Sequence, residues 1–291
     1  VVSRGIANSK GPLVCFFNTV KTIKEELGYF PLNLWFVIEG EEEMGSESLI
    51  PFTAKHANEL NKCLGVYLLS ARQDENGKPF TTLGNKGILY FEMEAKGAEW
   101  GGPSKLDIHG SNAAWISNPI WRLVNALGTM RDNDDNILID GFYDEVAPLD
   151  EMDEYYTERM AEVLDEDMYL NKRFYATRFI HGKPGRDALR DLLWKPTLNI
   201  DGIWGGYIGP ATKTIVPYHA TCKVDVRLVP NMRPERTLEL IRKHLDRHGY
   251  SDIILTRRQG TPYSKVNADS SLAKACISAM EMSGYPENTV W

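Results

Sequence analysis

Apolar residues follow two patterns in the first part of the chain, one typical of helices and one of buried strands. Residues 13–27 carry apolar side chains at helical spacing, and Gly28 can end that helix. Residues 34–38 are five consecutive apolar residues, and residues 64–69 form a similar short run. Such runs are typical of strands buried on both faces of a parallel sheet. With a further helix over residues 46–60, the pattern predicts an α/β domain whose mainly parallel sheet has helices on both faces.

The hydrophobic pattern changes over residues 72–86, which are polar and rich in glycine. Residues 88–95 then begin a strand whose second half alternates apolar and polar side chains, as in an antiparallel sheet with one face in water. This change predicts a second domain. The remaining predicted elements are strands at residues 198–200, 220–228 and 252–255, and helices at residues 119–130, 149–164, 234–248 and 271–282. Residues 132–190 carry no further pattern that assigns them a structure.

Composition and charge narrow the class of protein. The 291 residues are 43% apolar and 25% charged, as in an ordinary globular protein with room for two domains. No apolar run approaches the roughly 20 residues that span a bilayer. No signal peptide opens the chain, and the four cysteines form no C-x-x-C pair, so we expect a cytoplasmic protein with reduced thiols and no membrane partner. The net charge of −7 argues against nucleic acid as a partner.

A cluster of carboxylates follows the predicted strand at residues 34–38 without a break. Residues 39–47 read Glu-Gly-Glu-Glu-Glu-Met-Gly-Ser-Glu. At the carboxyl edge of a parallel sheet these side chains would face the crevice where ligands bind. Carboxylates held together repel one another unless a cation or a shared proton offsets the charge, so the cluster indicates a metal or a raised pKa. The alternative is a solvated acidic surface, which is the commoner meaning of such a run.

Four blocks of sequence carry a resemblance to a known family. They are Arg-Gly-Ile-Ala-Asn-Ser-Lys-Gly-Pro at residues 4–12, Glu-Gly-Glu-Glu-Glu-Met-Gly-Ser at 39–46, Asp-Ile-His at 107–109, and Gly-Pro-Ala-Thr-Lys-Thr-Ile-Val-Pro at 209–217 leading to Arg-Leu-Val-Pro at 227–230. In this order they resemble the M20 family of metallopeptidases, particularly the carnosinase-like dipeptidases and related deacylases. The second and fourth blocks are the specific ones, and together the four cover nearly the whole chain.

The resemblance implies both an architecture and an activity. It implies an α/β catalytic domain, here residues 1–86 and 231–291, interrupted by an inserted α+β lid domain, residues 87–230, that also forms a homodimer contact. It implies a hydrolase that cleaves an amide or peptide bond of a small substrate, either a dipeptide or an N-acyl amino acid. One or two Zn²⁺ ions are expected to activate the attacking water and to stabilise the oxyanion.

The resemblance also implies roles for individual residues. Glu42 falls on the general base and Glu43 on a metal ligand. His109 falls on the lid histidine that such enzymes donate to the partner subunit's active site to stabilise the oxyanion. Thr214 and Arg227 fall on lid residues that hold the substrate, and a guanidinium such as that of Arg227 is suited to bind a carboxylate bidentately.

The sequence departs from the family's pattern at several positions. Asn8 stands where an aspartate bridges the two metals, and a neutral amide cannot supply that negative charge. Ala71 stands where a further ligand aspartate is expected, and Gly110-Ser111 replaces the family's Ser-Gly. The family's His-x-Asp ligand segment and its last ligand histidine are expected outside residues 1–291.

These departures leave two alternatives to the usual chemistry. One is a catalytically inactive homologue that acts as a dimeric binding or scaffold protein, which Asn8 and Ala71 favour. The joint presence of Glu42, Glu43, His109, Thr214 and Arg227 argues against it, because a scaffold has no evident use for that set. The other alternative is single-metal or metal-independent chemistry on a different substrate.

Overall fold

A computed structural model describes residues 5–69, 72, 73 and 77–285, and the backbone of residues 289 and 290. The helices, in chain order, are α1 (Gly11–Leu27), α2 (Leu49–Lys55), α3 (Ala57–Leu60), α4 (Pro119–Met130), α5 (Glu151–Glu162), α6 (Gly185–Trp194), α7 (Pro234–Arg247) and α8 (Ser271–Met282). The strands are β1 (Phe80–Thr81), β2 (Gly84–Asn85), β3 (Gly87–Lys96), β4 (Ile108–His109), β5 (Thr197–Gly205), β6 (Ile215–Val216), β7 (His219–Leu228), β8 (Ile254–Thr261), β9 (Ser264–Lys265) and β10 (Thr289–Val290). Shorter helical turns lie at Ile6–Lys10, Glu42–Met44, Gly110–Ala114, Met168–Phe174 and Ile180–Gly182.

The chain divides into two compact units. The first unit comprises Val1–Thr82 and Asn267–Trp291, and the second comprises Leu83–Val266. The predicted division returned to the first domain at residue 231, whereas α7 and β8 belong to the second unit. The reason is strand pairing, since β8 runs antiparallel to β3 from Ile88 to Glu94. The second unit therefore extends beyond residue 230, where the resemblance implied a return to the catalytic domain.

In the first unit the helices are formed largely as predicted. Helix α1 ends at Gly28, whose φ of 75° is a left-handed conformation that glycine adopts without strain. The helix predicted over residues 271–282 is confirmed as α8, with the Ser270 side chain accepting a hydrogen bond from the Ala273 N–H at its start. The helix predicted over residues 46–60 begins later and is interrupted at His56, which separates α2 from α3.

The two buried strands predicted in the first unit are not formed. Residues 34–38 and 64–69 are neither strand nor helix, and all of them except the half-buried Leu69 are exposed, Trp35 by 63% and Val66 by 91%. A parallel strand needs neighbouring strands and covering helices to bury both faces. Among the residues that the structure describes, the strands of this unit are β1 and β10, a parallel pair of two residues each. The mixed α/β class of the chain is nevertheless confirmed.

The second unit is built on a four-stranded antiparallel sheet in the order β5-β7-β3-β8. Strand β3 buries every second side chain, and Leu89, Phe91 and Met93 are fully buried, as the alternating pattern predicted. Helices α4 and α7 cover this face, where Leu123 and Ile241 join the same core. The opposite face of β3 and β7 carries polar side chains. The sheet thus has one apolar face in the core and one polar face on which functional groups can stand.

Residues 132–190, which the sequence pattern left largely unassigned, contain α5 and α6. Helix α5 begins with a capping box, because Asp150 and Asp153 each accept a hydrogen bond from the other's backbone N–H. The two helices are joined by Arg190 of α6, which binds Glu154 of α5 through both terminal nitrogens. In the part of the chain that the structure describes, no helix is both long enough and apolar enough to cross a membrane.

Candidate functional site

His109 and Thr214 meet through a short pair of strands in the second unit. Strands β4 and β6 run antiparallel, with His109 opposite Ile215. The backbone N–H of Gly110 donates to the carbonyl oxygen of Thr214 at 3.0 Å. As a result the Thr214 Oγ1 atom lies 3.4 Å from His109 Nε2, although the two residues are 105 positions apart in the sequence. The fold therefore brings together two of the predicted site residues.

Hydrogen bonds to Ser111 define which nitrogen of the His109 ring carries the proton. The backbone N–H of Ser111 donates to Nδ1 at 3.2 Å, and the Ser111 hydroxyl lies 2.8 Å from the same atom. Because a backbone N–H can only donate, Nδ1 accepts, and the neutral ring carries its proton on Nε2. His109 thus presents an N–H donor on the side of Thr214. A fixed N–H donor is the kind of group that stabilises a developing oxyanion.

Gly110 allows the histidine loop to approach Thr214 closely. A Cβ atom at position 110 would lie 3.1 Å from both the carbonyl carbon and the Cβ of Thr214. The order Gly110-Ser111 is the reverse of the family's Ser-Gly. In the structure each residue has a use, since Gly110 leaves room for Thr214 and Ser111 contacts the imidazole.

Arg227 lies on the four-stranded sheet of the second unit, which is separate from the pair of strands β4 and β6. It stands on β7 opposite Ile88 of β3 and Thr197 of β5, and its side chain is 51% exposed. Its Nε atom donates to Asp225 Oδ1 at 2.9 Å. Strand β7 begins at His219, shortly after Thr214, and at ~3.3 Å per residue Arg227 lies roughly 26 Å further along it. In one copy of the chain, Arg227 therefore lies near the end of β7, whereas the pair formed by His109 and Thr214 lies before the start of that strand in the chain.

A second cation, Lys86, lies close to Arg227. Its Nζ atom donates to the carbonyl oxygen of Lys195 at 2.5 Å, which ties the start of β3 to the segment before β5. The pKa of Lys86 is lowered to about 8, chiefly by burial, with the charge of Asp191 opposing this shift and that of Arg227 adding to it. Sequence reasoning did not single out Lys86, because a lone lysine beside a glycine carries no distinguishing pattern.

Glu42 and Glu43 lie in the first unit, on the short turn Glu42–Met44, and both side chains are exposed. Neighbouring carboxylates stabilise this turn. Glu39 accepts the Ser46 hydroxyl at 2.8 Å, and Glu41 accepts a backbone N–H at 3.2 Å. Two of the clustered carboxylates are thus engaged by the turn itself, which presents Glu42 at the surface of this unit.

The described residues do not form a metal site by themselves. Asn8 is exposed, and its side-chain oxygen accepts a hydrogen bond from the Ser9 hydroxyl at 2.9 Å. No three His, Cys, Asp or Glu side chains stand close enough to hold a metal ion within residues 5–69, 72, 73 and 77–285. Position 71, where a ligand aspartate was expected, lies outside the described residues. Glu43 and the neutral amide of Asn8 are therefore not a sufficient set of ligands.

Comparison with known proteins identifies the class of the chain. Residues 83–253 match the peptidase dimerisation domain of the M20 peptidases. This match covers more than half of the chain, and all of it lies in the second unit. The chain therefore belongs to the M20 peptidase family, as the sequence motifs indicated.

Individual relatives lie among the dipeptidases of that family. The chain is 31% identical over 246 residues to the Beta-Ala-His dipeptidase of Rattus norvegicus, covering 84% of this chain and 48% of the relative. It is 31% identical over 245 residues to the Cys-Gly metallodipeptidase DUG1 of Saccharomyces cerevisiae, covering 84% of this chain and 49% of that protein. The structure is similar to that of human carnosine dipeptidase 1, with a TM-score of 0.75 and 29% identity over 99% of this chain and 60% of the other. The chain thus spans about half the length of the curated relatives it matches.

Proposed function

We propose that the whole protein is a hydrolase that cleaves the amide or peptide bond of a small substrate with a free carboxylate, either a dipeptide or an N-acyl amino acid. The names of its relatives, a Beta-Ala-His dipeptidase and a Cys-Gly metallodipeptidase, support this class of substrate. The observation that carries the proposal is the pair formed by His109 and Thr214, in which Nε2 presents an N–H donor beside a hydroxyl. In this proposal His109 stabilises the oxyanion that forms when water attacks the carbonyl.

The other predicted roles belong to the same proposal. Glu42 acts as the general base, and its exposed position on the turn is compatible with accepting a proton from water. Thr214 and Arg227 hold the substrate, with the Arg227 guanidinium binding its carboxylate. The first unit, which contains Glu42, belongs to the catalytic domain, and the second unit is the lid and dimerisation domain. The protein is proposed to act in the cytoplasm.

The distance between Arg227 and His109 supports a site that two copies of the chain complete together. A small dipeptide cannot span the roughly 26 Å of β7 that separates Arg227 from the end of the sheet near Thr214. In a twofold dimer, however, each copy offers the same surface to the other, so opposite ends of two sheets can converge. The proposed substrate is therefore bound by Arg227 of one copy and by Thr214 and His109 of the partner subunit. The family match to a peptidase dimerisation domain supports this homodimer.

Zinc is proposed as the metal of the whole protein, in one or two ions, because relatives of the chain are named metallopeptidases. Bound zinc would lower the pKa of a water molecule and polarise the substrate carbonyl. Glu43 is the proposed oxygen ligand in this chain. A complete two-metal centre does not fit these residues. Asn8 is neutral, and no three potential ligand side chains lie close together among the described residues.

Asn8 and the lack of a cluster of potential metal ligands among the described residues also support the alternative of an inactive homologue, which serves as a dimeric binding or scaffold protein. The two functions differ in what the full-length protein does to a peptide. The two functions are distinguished by measuring the release of amine from a panel of dipeptides and N-acyl amino acids, with and without added Zn²⁺. The hydrolase proposal expects turnover that falls at least 100-fold in Glu42→Gln, the size of effect typical of losing a general base. Turnover unaffected by Glu42→Gln would remove the assigned base, and no turnover of any substrate would favour the scaffold.

A further inference from the structure

Asp225 and Arg227 form an ion pair on the polar face of the sheet. They are two residues apart on β7, so both side chains project from the same face. Arg227 Nε donates to Asp225 Oδ1 at 2.9 Å. The two members differ in exposure, since Asp225 is only 6% exposed whereas the Arg227 side chain is 51% exposed. The carboxylate is thus the fixed member of the pair.

A neighbouring strand holds Asp225 in turn. Asn199 lies opposite Asp225 on β5, and its Nδ2 group donates to Asp225 Oδ2 at 3.0 Å. The same amide donates to Asp201 Oδ1 at 2.9 Å. Asp201 is two residues from Asn199 on β5, so the two side chains share a face, and the register of β5 against β7 shifts at Asp201, between Ile200 and Gly202. Both oxygens of Asp225 are therefore occupied by nitrogen donors.

This arrangement leaves one side of the Arg227 guanidinium available. Within the part of the chain that the structure describes, neither terminal nitrogen of Arg227 has a hydrogen-bond partner. A guanidinium is planar, so fixing its Nε–H fixes the plane and the direction of the two terminal NH₂ groups. Two parallel N–H groups match the two oxygens of a carboxylate. A long side chain that is not held by such a hydrogen bond loses more conformational entropy when it binds a ligand than one that is already held.

We propose that Asp225 is a positioning residue, which orients Arg227 so that its terminal NH₂ groups receive the carboxylate of the substrate, and that Asn199 holds Asp225 in place for this purpose. The proposal rests on the proposed function, because Arg227 is the residue assigned there to the substrate carboxylate. The competing explanation is that Asp225, through its hydrogen bond from Asn199, only stabilises the pairing of β5 and β7. The two explanations differ in whether removing Asp225 affects recognition of a carboxylate.

The chain contains a matched control for this comparison. Glu92 of β3 accepts a hydrogen bond from Arg258 of β8 at 2.6 Å, on the same face of the same sheet. This pair also joins a carboxylate to an arginine, here between two strands rather than within one, and neither residue has an assigned role in the site. A Glu92 variant therefore shows how the loss of an ion pair on this face affects the sheet when no residue of the proposed site is changed.

The first experiment is steady-state kinetics of the full-length protein on a dipeptide and on the same dipeptide with an amidated C-terminus. Asp225→Ala is expected to raise KM for the free dipeptide roughly tenfold with kcat within about threefold, as for the loss of part of a charge-assisted hydrogen bond. Asp225→Asn, which keeps an acceptor for Arg227 Nε, is expected to recover most of this loss. KM for the amide and all constants of Glu92→Ala are expected to stay within about twofold of wild type. If Asp225→Ala changed KM equally for the free and the amidated dipeptide, or changed neither, the positioning role would be overturned.

The second experiment separates this proposal from the proposed function. If the wild-type protein hydrolyses no peptide, the proposed function fails, and crystal structures of full-length wild type and Asp225→Ala then decide the positioning role. The expected result is an Arg227 guanidinium that occupies one orientation in the wild type and a different or divided one in Asp225→Ala. An unchanged guanidinium in Asp225→Ala would overturn the proposal whether or not the protein is an enzyme.

Discussion

The Nε2 atom of His109 lies 3.4 Å from Thr214 Oγ1, while Ser111 engages Nδ1 of the same ring from the other side. The ring is thus held between its own loop and the segment that precedes β6. Because Nδ1 accepts a backbone N–H, the neutral ring is an Nε2–H donor. We expect the loss of a donor held in this way to slow the reaction, and kinetics of a His109 variant measure that effect directly.

Replacing His109 with alanine is expected to lower kcat of the full-length protein by about 10²–10³-fold, because the variant loses a donor aimed at a developing oxyanion. KM is expected to change by less than about threefold, since the donor acts mainly in the transition state. Steady-state kinetics on a dipeptide measures both constants. A variant that raised KM while keeping kcat would assign His109 to substrate binding instead.

Adding a methyl group at Gly110 is expected to separate the histidine loop from Thr214. In Gly110→Ala the new Cβ would lie 3.1 Å from the backbone and Cβ of Thr214, so β4 and β6 must shift. We expect kcat to fall about tenfold and the free energy of unfolding to fall by about 1–2 kcal/mol, as for other overpacked positions. Gly128→Ala is the matched control, because Gly128 lies within α4 and a Cβ there meets no atom within 4 Å.

The control variant is expected to be slightly more stable than wild type, by about 0.5–1 kcal/mol, since alanine is the better helix former. Urea denaturation of both variants measures the difference. A Gly110→Ala protein as stable and as active as Gly128→Ala would show that the close approach to Thr214 is not needed.

The buried amine of Lys86 predicts a dependence of stability on pH. Its pKa is about 8 in the folded protein, against 10.5 for an unperturbed lysine, chiefly because of burial. Between these values the unfolded chain binds a proton that the folded chain does not, so this contribution to stability rises with pH over that window and is constant below it. The full effect is at most about 3 kcal/mol.

The test is the difference in unfolding free energy between wild type and Lys86→Met, measured by urea denaturation from pH 7 to pH 10. Taking the difference cancels the titration of all other groups. Wild type is expected to gain stability relative to Lys86→Met as the pH rises above 8. A difference that stayed constant, or that moved in the opposite direction, would show that the amine is not desolvated as described.

The capping box of α5 is expected to contribute to stability independently of any activity. Asp150 accepts the Asp153 N–H at 2.8 Å, and Lys265 binds both carboxylates. Asp150→Ala is expected to lower the free energy of unfolding by about 1 kcal/mol, the usual cost of losing an N-cap. Asp150→Asn keeps a capping oxygen and is expected to lose less than half as much. Equal losses in the two variants would assign the effect to the ion pairs with Lys265 rather than to the cap.

The antiparallel sheet and its helices were predictable from sequence because their signals are local. Strand β3 alternates buried and half-buried residues, and Asn118 and Pro119 mark the start of α4 in the sequence itself. The run of apolar residues 34–38 was predicted as a strand for an equally local reason. Strand formation also requires neighbours, and the described residues of the first unit do not provide them.

The site was predictable only residue by residue. Motifs pointed to His109 and Thr214 separately, but β4 and β6 are two residues long and have no hydrophobic pattern from which their pairing could be predicted. The pair formed by Asp225 and Arg227 could have been predicted, since residues two apart on a strand share a face. The register shift of β5 at Asp201 could not have been predicted, because it depends on the partner strand.

Two copies of the chain are proposed to complete one site, with Arg227 from one copy and His109 and Thr214 of the partner subunit. Full-length Arg227→Ala and His109→Ala proteins, each nearly inactive alone, are mixed after reversible dissociation and reassociation. A heterodimer then holds one site with both changes and one with neither, so random pairing is expected to restore about a quarter of wild-type activity. A mixture no more active than the two variants measured separately would contradict the shared site.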